Sequence, residues 1–338
     1  MTAGGQRASS QMLQARRALD GALADLESGS LVVVACSGGP DSCALAAATA
    51  FVAPRRELRA VAVVVDHGLQ AASAEVAAAA RDTCLRLGLP DARVVRVQVG
   101  VRGGPEAAAR DARYAALREQ AEQLGALAVL LGHTRDDQAE TVLLRLARGS
   151  GARSLAGMRS QDGLFRRPFL ALPRQVVHAC AEQALAQIGG QPWTDPHNSD
   201  PRFTRPRVRS AMDTLQQVLG ADITGGLART AQLLRDDADA LDALATQAYA
   251  EQVTVDEVGL TCDAAALANL PRALRTRVIR SMCLEAGSDG GALSAEHVWV
   301  VERLVIDWHG QGPTRLPGGV WADREYGRLA VHRHRATE

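Results

Sequence analysis

Three short stretches carry residue types suited to phosphate and amine chemistry. The first, Ser37-Gly38-Gly39-Pro40-Asp41-Ser42, follows the β-branched run Val32-Val33-Val34 and precedes a small-residue helical pattern. Two glycines between a strand and a helix let an anion approach exposed N–H groups at the positive end of the helix dipole. The same hexapeptide also suits a plain tight turn, with Pro40 in the first helical turn, where a missing N–H is no loss. It is not a Walker A loop, which requires GxxxxGK and then Ser or Thr. The second stretch, Gly132-His133-Thr134-Arg135-Asp136-Asp137-Gln138-Ala139-Glu140-Thr141, begins where another strand would end. Thr134 can cap the helix, and Asp136, Asp137 and Glu140 then cluster at i, i+3 and i, i+4 spacing. Close carboxylates can hold Mg²⁺, bind an ammonium group or take a proton from a nucleophilic amine, and they also simply suit a first helical turn. The third pair, Asp66-His67, ends an apolar run at a position where an acid often meets a ribose.

These residues need a scaffold that brings strand ends together. Leu31–Cys36, Leu58–Asp66, Arg93–Val99 and Leu127–Leu131 read as buried strands, separated by helical patterns at Asp41–Val52, Ser73–Leu87 and Pro105–Leu124. Ser73 is the expected N-cap of its helix. Such alternation predicts an α/β fold, a doubly wound parallel sheet whose loops after Cys36, Asp66, Val99 and Leu131 share one edge. A helix is expected at Gln11–Leu26, another after Leu131 closed by Gly149, and one at Pro173–Ile188. Beyond a loosened stretch to Arg209 the chain turns mainly helical: Ala211–Leu219, Ile223–Glu251, Asn269–Ala286 and Ser294–Trp308. A strand-like piece at Gly259–Cys262 and a terminal hairpin around Pro317-Gly318-Gly319 complete a second, smaller domain. The boundary is placed at 212/213.

Net charge is zero, but its distribution is uneven. Residues 1–144 hold 15 arginines against 16 acids, 145–210 hold 11 against 4, and 211–338 hold 12 against 18. The middle block is a local footprint for a polyanion or a solvated face. Its arginines 166, 167, 202, 205, 207 and 209 interleave with Phe165, Phe169, Trp193 and Phe203, which suits looped RNA or a core. Arg110, Arg113 and Arg118 lie on the helix of 105–124, which also fits an ordinary salt-bridged surface. The 38 basic residues include no lysine, excluding Schiff-base catalysis by this chain. Six scattered cysteines without a CxxC pair argue against a zinc ribbon, an iron–sulfur site or a disulfide framework. With no apolar run long enough for a membrane span and no signal-peptide core at the N-terminus, a cytoplasmic location is expected.

Together these motifs resemble the PP-loop ATP pyrophosphatase superfamily, whose SGGxDS signature is matched at Ser37–Ser42. Within it, the GHxxDDQxET run at 132–141, RxxRY at 110–114, RRP at 166–168 and DPxN at 195–198 resemble the tRNA(Ile)-lysidine synthase family. The resemblance implies a catalytic domain at 1–212 and a tRNA-binding accessory domain at 213–338. It implies an ATP-dependent ligase that joins free lysine to the wobble cytidine of the CAU anticodon of isoleucine tRNA. The cytosine oxygen is adenylated with loss of pyrophosphate, and the lysine amine then displaces AMP. ATP phosphates would meet Ser37, Gly38, Gly39, Pro40 and Ser42, with Asp66 also in the nucleotide site. Asp41 and Asp136, or Asp137, would position Mg²⁺. Asp137 and Glu140 would orient and deprotonate the amine. Arg113, His133 and Arg207 would meet the developing charge and the base, and Arg110, Arg166, Arg167, Arg205 and Arg209 the RNA. In the family RNRIR is usual where this chain has Arg205-Pro206-Arg207-Val208-Arg209, and longer relatives carry a further C-terminal domain. A homodimer is left open. The alternatives are a tRNA-thiolating enzyme of the same superfamily, an ammonia-using adenylating ligase, and a non-catalytic nucleotide- or RNA-binding module.

Overall fold

The computed structural model describes residues 8–68, 72–100, 104–149, 151–193, 204–220 and 222–333. Contacts divide the chain into two compact units, 1–234 and 235–338. The division falls inside a long helix, whereas 212 and 213 lie inside the helix before it.

In the first unit, α1 (Ser10–Ala22) precedes β1 (Leu31–Ala35), α2 (Pro40–Arg55), β2 (Arg59–Asp66), α3 (Ser73–Arg86), β3 (Asp91–Arg96), α4 (Pro105–Leu124) and β4 (Ala128–Leu130). Next come α5 (Arg135–Leu146), α6 (Ala152–Leu155), β5 (Gln161–Asp162), β6 (Phe165–Arg166), α7 (Arg174–Gln187), α8 (Thr204–Leu219) and α9 (Ile223–Gln252). The sheet order is β3-β2-β1-β4-β6-β5. Strands β1 to β4 and β6 pair in parallel (Val33 opposite Val61 and Val129), and only the edge strand β5 is antiparallel. Both faces are covered. Leu19, Leu45, Val52, Cys84 and Leu185, from α1, α2, α3 and α7, pack on one side. Leu117 and Ala121 of α4 pack with Phe165 on the other. Continuous Val/Ala/Leu strands are what burial on two faces requires. Connections leave to opposite sides of β1, so a crevice opens between the carboxyl ends of β1 and β4, the switch point at which such sheets bind ligands.

Two local expectations need correcting, and one alternative left open is resolved. The N-cap of α3 is Ala72 and makes no side-chain bond, so Ser73 is the first helical residue instead. Helix α8 starts at Thr204, seven residues before the expected Ala211, because Pro206 sits in its first turn, where no N–H is needed. Arg205, Arg207 and Arg209 are therefore helical. Phe165 and Phe169 are 4% and 0% exposed, and belong to the core rather than to a stacking surface.

In the second unit, β7 (Val253–Val255), β8 (Leu260–Asp263), α10 (Ala264–Asn269), α11 (Arg272–Glu285), α12 (Ala295–Ile306), β9 (Thr314–Leu316), β10 (Val320–Glu325) and β11 (Arg328–Arg333) follow. The helix expected at Asn269–Ala286 begins only at Arg272, after Pro271, and a further short helix, α10, precedes it. The expected hairpin is larger than foreseen: β9, β10 and β11 form a meander that extends through β8 and β7 into a five-stranded antiparallel sheet. Leu267, Ile279, Met282, Leu304 and Leu329 fill its core. Buried Glu302 of α12 accepts from Arg275 at 2.8 Å and from Arg272 at 3.1 Å, and Arg275 also donates to the Ala268 and Leu270 carbonyls. This fork ties α10, α11 and α12 together. Among the described residues no helix is long and apolar enough to cross a membrane.

Candidate active site

The phosphate loop is built by its own side chains. Ser42 Oγ accepts from Ser37 N (3.1 Å) and donates to Gly39 O (2.9 Å), closing the turn from inside. Gly38 has φ +83°, a left-handed conformation that leaves no strain only in glycine. Trp193 N donates to Gly38 O (3.0 Å), so the chain after α7 returns to pin the loop. The N–H groups of Gly38 and Gly39 have no acceptor among the described residues. They stand at the N-terminus of the 16-residue α2, as an anion site requires.

A cavity of about 500 Å³ opens in front of this loop, large enough for a nucleotide. Ser37, Gly39, Pro40, Asp41 and Ser42 line it from one side, and Val63, Val64, Val65, Asp66 and His67 from the end of β2. Arg113 of α4, His133 and Asp137 at the start of α5, and Arg205, Pro206 and Arg209 of α8 complete most of the wall. One helical turn separates Arg205 from Arg209, so both face the cavity while Arg207 does not.

Polar atoms without partners converge here. Asp41 Oδ1, His67 Nδ1, Arg113 Nε, His133 Nδ1 and His178 Nε2 belong to cavity-lining residues and make no hydrogen bond among the described residues, although Asp41 Oδ1 and His178 Nε2 stand 3.2 Å apart. Glu140 Oε2, likewise unbonded, belongs to a residue that does not line the cavity. Buried polar groups are normally satisfied, so such a set marks a place where a ligand supplies the bonds. Asp66 accepts from Gly68 N (2.9 Å), and this bond, followed by Ser73 and the nearby Arg96, holds its carboxyl below the usual range.

The acids of α5 are not loose. Thr134 and Asp137 form a reciprocal cap: Asp137 Oδ2 accepts from Thr134 N (2.7 Å) and Oγ1 (2.8 Å). Asp137 Oδ1 and Glu140 Oε1 each take Arg174 Nη2 at 3.0 Å, and Arg209 Nε also reaches Glu140 Oε1 at 3.0 Å. Asp136 Oδ2 accepts from Arg174 N (2.8 Å) at the start of α7 and does not line the cavity. Burial opposes the Asp137 charge, but Arg174 and the Thr134 bonds outweigh it and hold its pKa low. Burial likewise opposes the Arg174 charge, and Asp137 with Glu140 more than restores it. Asp137 and Glu140 thus meet the guanidinium groups of Arg174 and Arg209, two charges of each sign, while Asp136 takes only a backbone N–H.

Burial, reinforced by Arg113, Arg167 and Arg110 against the opposing pull of Asp137, lowers the His133 pKa to about 3. The ring is therefore neutral at pH 7, with one nitrogen to donate and one to accept. Its unfolded value is near 6.5, so below that pH the unfolded chain binds a proton that the folded one refuses. Stability is then expected to fall as pH drops below about 6.5, and to fall less steeply in His133→Asn. Denaturant titrations of both proteins between pH 7.5 and 4.5 check this.

Arg110 sits behind Arg113, its Nη2 3.2 Å from Tyr114 Oη. Arg166 and Arg167 are each 5% exposed. Arg166 forks onto Asp25 (2.8 Å) and the Ala22 carbonyl (2.6 Å), and Arg167 donates to Arg159 O (2.7 Å). Arg202, Phe203 and the 195–198 motif lie outside the described residues. Sequence reasoning missed Arg174 and His178, whose only signal is their i, i+4 spacing on α7. His178 Nε2 lies 3.2 Å from Asp41 Oδ1. Among the described residues no three His, Cys, Asp or Glu side chains are grouped to enclose a metal ion.

Residues 11–215 match the PP-loop domain family, and residues 263–330 match the TilS substrate binding domain. The chain is 57% identical over 317 residues to the tRNA(Ile)-lysidine synthase of Thermobifida fusca, covering 94% of this chain and 96% of that one. It is 54% identical over 309 residues to the enzyme of the same name from Streptomyces coelicolor, covering 89% and 85%. Its fold is similar to that of the U34-tRNA thiolase NcsA from Methanococcus maripaludis, with a TM-score of 0.55 at 19% identity over 67% of this chain and 80% of that one.

Proposed function

Since the chain belongs to the tRNA(Ile)-lysidine synthase family of PP-loop enzymes, we propose that its cavity joins free lysine to the wobble cytidine of isoleucine tRNA. It is a ligase that forms a C–N bond, uses ATP and acts on isoleucine tRNA. The observation that supports the assignment of the amine is Asp137 at the cavity wall, with Glu140 one helical turn further along α5 and its buried Oε2 unbonded among the described residues.

The triphosphate lies on the Gly38 and Gly39 N–H groups at the N-terminus of α2, with the adenosine toward Val63–His67. Arg113, a buried guanidinium with an unbonded Nε, faces the α-phosphate, where negative charge develops as the cytosine oxygen attacks. Asp41, which lines the cavity beside the phosphate loop with its Oδ1 3.2 Å from His178 Nε2, would be the carboxylate that holds a Mg²⁺ there. When bound, the ion neutralises charge on the departing pyrophosphate. Asp137 at the cavity wall, with Glu140 one turn further along α5, orients the ammonium of lysine and takes the proton that the amine must lose, while neutral His133 offers a ring N–H to the developing charge. Arg205 and Arg209 on α8 face the entering nucleotide. A flipped-out base suits this arrangement, since its reacting atom must reach the foot of a cavity.

The test is incorporation of labelled lysine into an unmodified isoleucine tRNA transcript with a CAU anticodon, in the presence of ATP and Mg²⁺. The methionine tRNA with the same anticodon and the Asp41→Ala variant are run in parallel. Label should enter the isoleucine tRNA alone and be lost in the variant. Pyrophosphate release stimulated by tRNA without any lysine label would retain adenylation and discard the amine.

A further inference from the structure

Beside the cavity, α4 and the end of α5 gather arginines that no carboxylate neutralises. Arg113 borders the cavity, Arg110 precedes it by one turn on α4, Arg145 lies in the last turn of α5 and Arg148 just beyond it. Among the described residues none of the four forms an ion pair, in contrast to Arg174 and Arg209 across the cavity. Burial disfavours the Arg145 charge, and Arg110 and Arg148 add to the effect, so both lie within electrostatic reach of Arg145.

Neutral partners hold them in place. Arg110 lies 4.8 Å over the Tyr114 ring and donates to its hydroxyl. Arg145 donates to the carbonyls of Ser154 (2.6 Å) and Gly157 (3.1 Å). Arg148 is exposed. Packing like charges together and fixing them with neutral acceptors costs Coulomb energy that only an anionic partner returns. Helix α5 starts at the cavity and rises about 1.5 Å per residue. Arg145 therefore stands roughly 12 Å from Asp137 along the axis, too far to serve the reacting nucleotide itself.

We propose that Arg110, Arg145 and Arg148 form a phosphate track that grips the RNA backbone beside the nucleotide entering the cavity. This inference rests on reading the chain as a tRNA-modifying ligase. A nucleic acid backbone fits better than an acidic protein surface, because the track runs on from Arg113 into a cavity that must admit a base.

Binding of an isoleucine tRNA transcript is measured across a salt series for the full chain and for Arg148→Gln, Arg110→Gln with Arg148→Gln, and Arg145→Lys. Each lost charge should lower the slope of log K against log salt by about 0.7 to 0.9. The double variant should show a raised KM for tRNA, with ATP binding in the absence of RNA unchanged. Arg145→Lys keeps the charge and should keep the slope, which separates electrostatics from the loop contacts. An unchanged slope and KM in a folded double variant overturns the track while wild-type lysine transfer leaves the ligase reading standing. Reduced slopes in a protein that transfers no lysine would uphold the track and overturn that reading.

Discussion

Gly132→Ala is expected to lower kcat/KM for ATP by about a hundredfold without touching a single polar side chain. A Cβ at residue 132 would lie 2.9 Å from Asp41 O, 3.0 Å from Asp41 C and 3.3 Å from Ser42 N. All three are backbone atoms of the first turn of α2, so no side chain can swing aside. The turn must move by a few tenths of an ångström or more, taking Asp41 and the phosphate N–H groups with it. Misplacement on the order of 1 Å at a reacting centre can cost about 10²-fold. Overpacking should also reduce stability by roughly 1 to 3 kcal/mol. Steady-state kinetics with ATP varied, together with thermal unfolding, separate the two effects: the rate loss should persist well below the unfolding temperature. A variant with normal kinetics would mean that the strand end and the helix do not have to meet so closely.

Glu140→Gln should act on lysine rather than on ATP. The change keeps an acceptor for Arg174 and Arg209 but removes one of the two carboxylate charges that face them and replaces the unbonded Oε2. Losing one partner of a buried charge pair costs about 3 to 5 kcal/mol, and the lower figure is about a hundredfold in affinity. The expected result is a KM for lysine raised by about two orders of magnitude, with tRNA-dependent pyrophosphate release from ATP retained. If both half-reactions fell together, Glu140 would instead be holding the domain, through Arg174 and α7.

Most of the first unit was legible because its signals are local. Val32–Val34 before Ser37–Ser42, and Thr134 three residues before Asp137, declare a strand, a turn and a cap within a dozen residues. The GHxxDDQxET run was visible for the same reason. Partners were not, since charge pairing is set by tertiary contacts. Nothing near Asp137 in the sequence announces Arg174, 37 residues on, or that Asp136 would turn from the cavity to meet the first N–H of α7. The basic block misled in the other direction. Its composition is uniform, yet Arg166 is an internal brace for Asp25 whereas Arg205 and Arg209 reach the cavity. Pro206 fell in the loosened stretch before the helix expected from Ala211, because sequence alone does not tell a first helical turn from a break. In the second unit, β7 and the meander were only partly foreseen, since short antiparallel strands gain their identity from cross-strand partners far along the chain.

The central claim is that the phosphate loop serves adenylation of the RNA before the amine arrives. ATP labelled at the α-phosphate, incubated with the protein and isoleucine tRNA without lysine, tests it directly. The account predicts label on the tRNA, released as AMP when unlabelled lysine is added. Label that never leaves ATP until lysine is present, or that leaves without ever being found on the RNA, would contradict it.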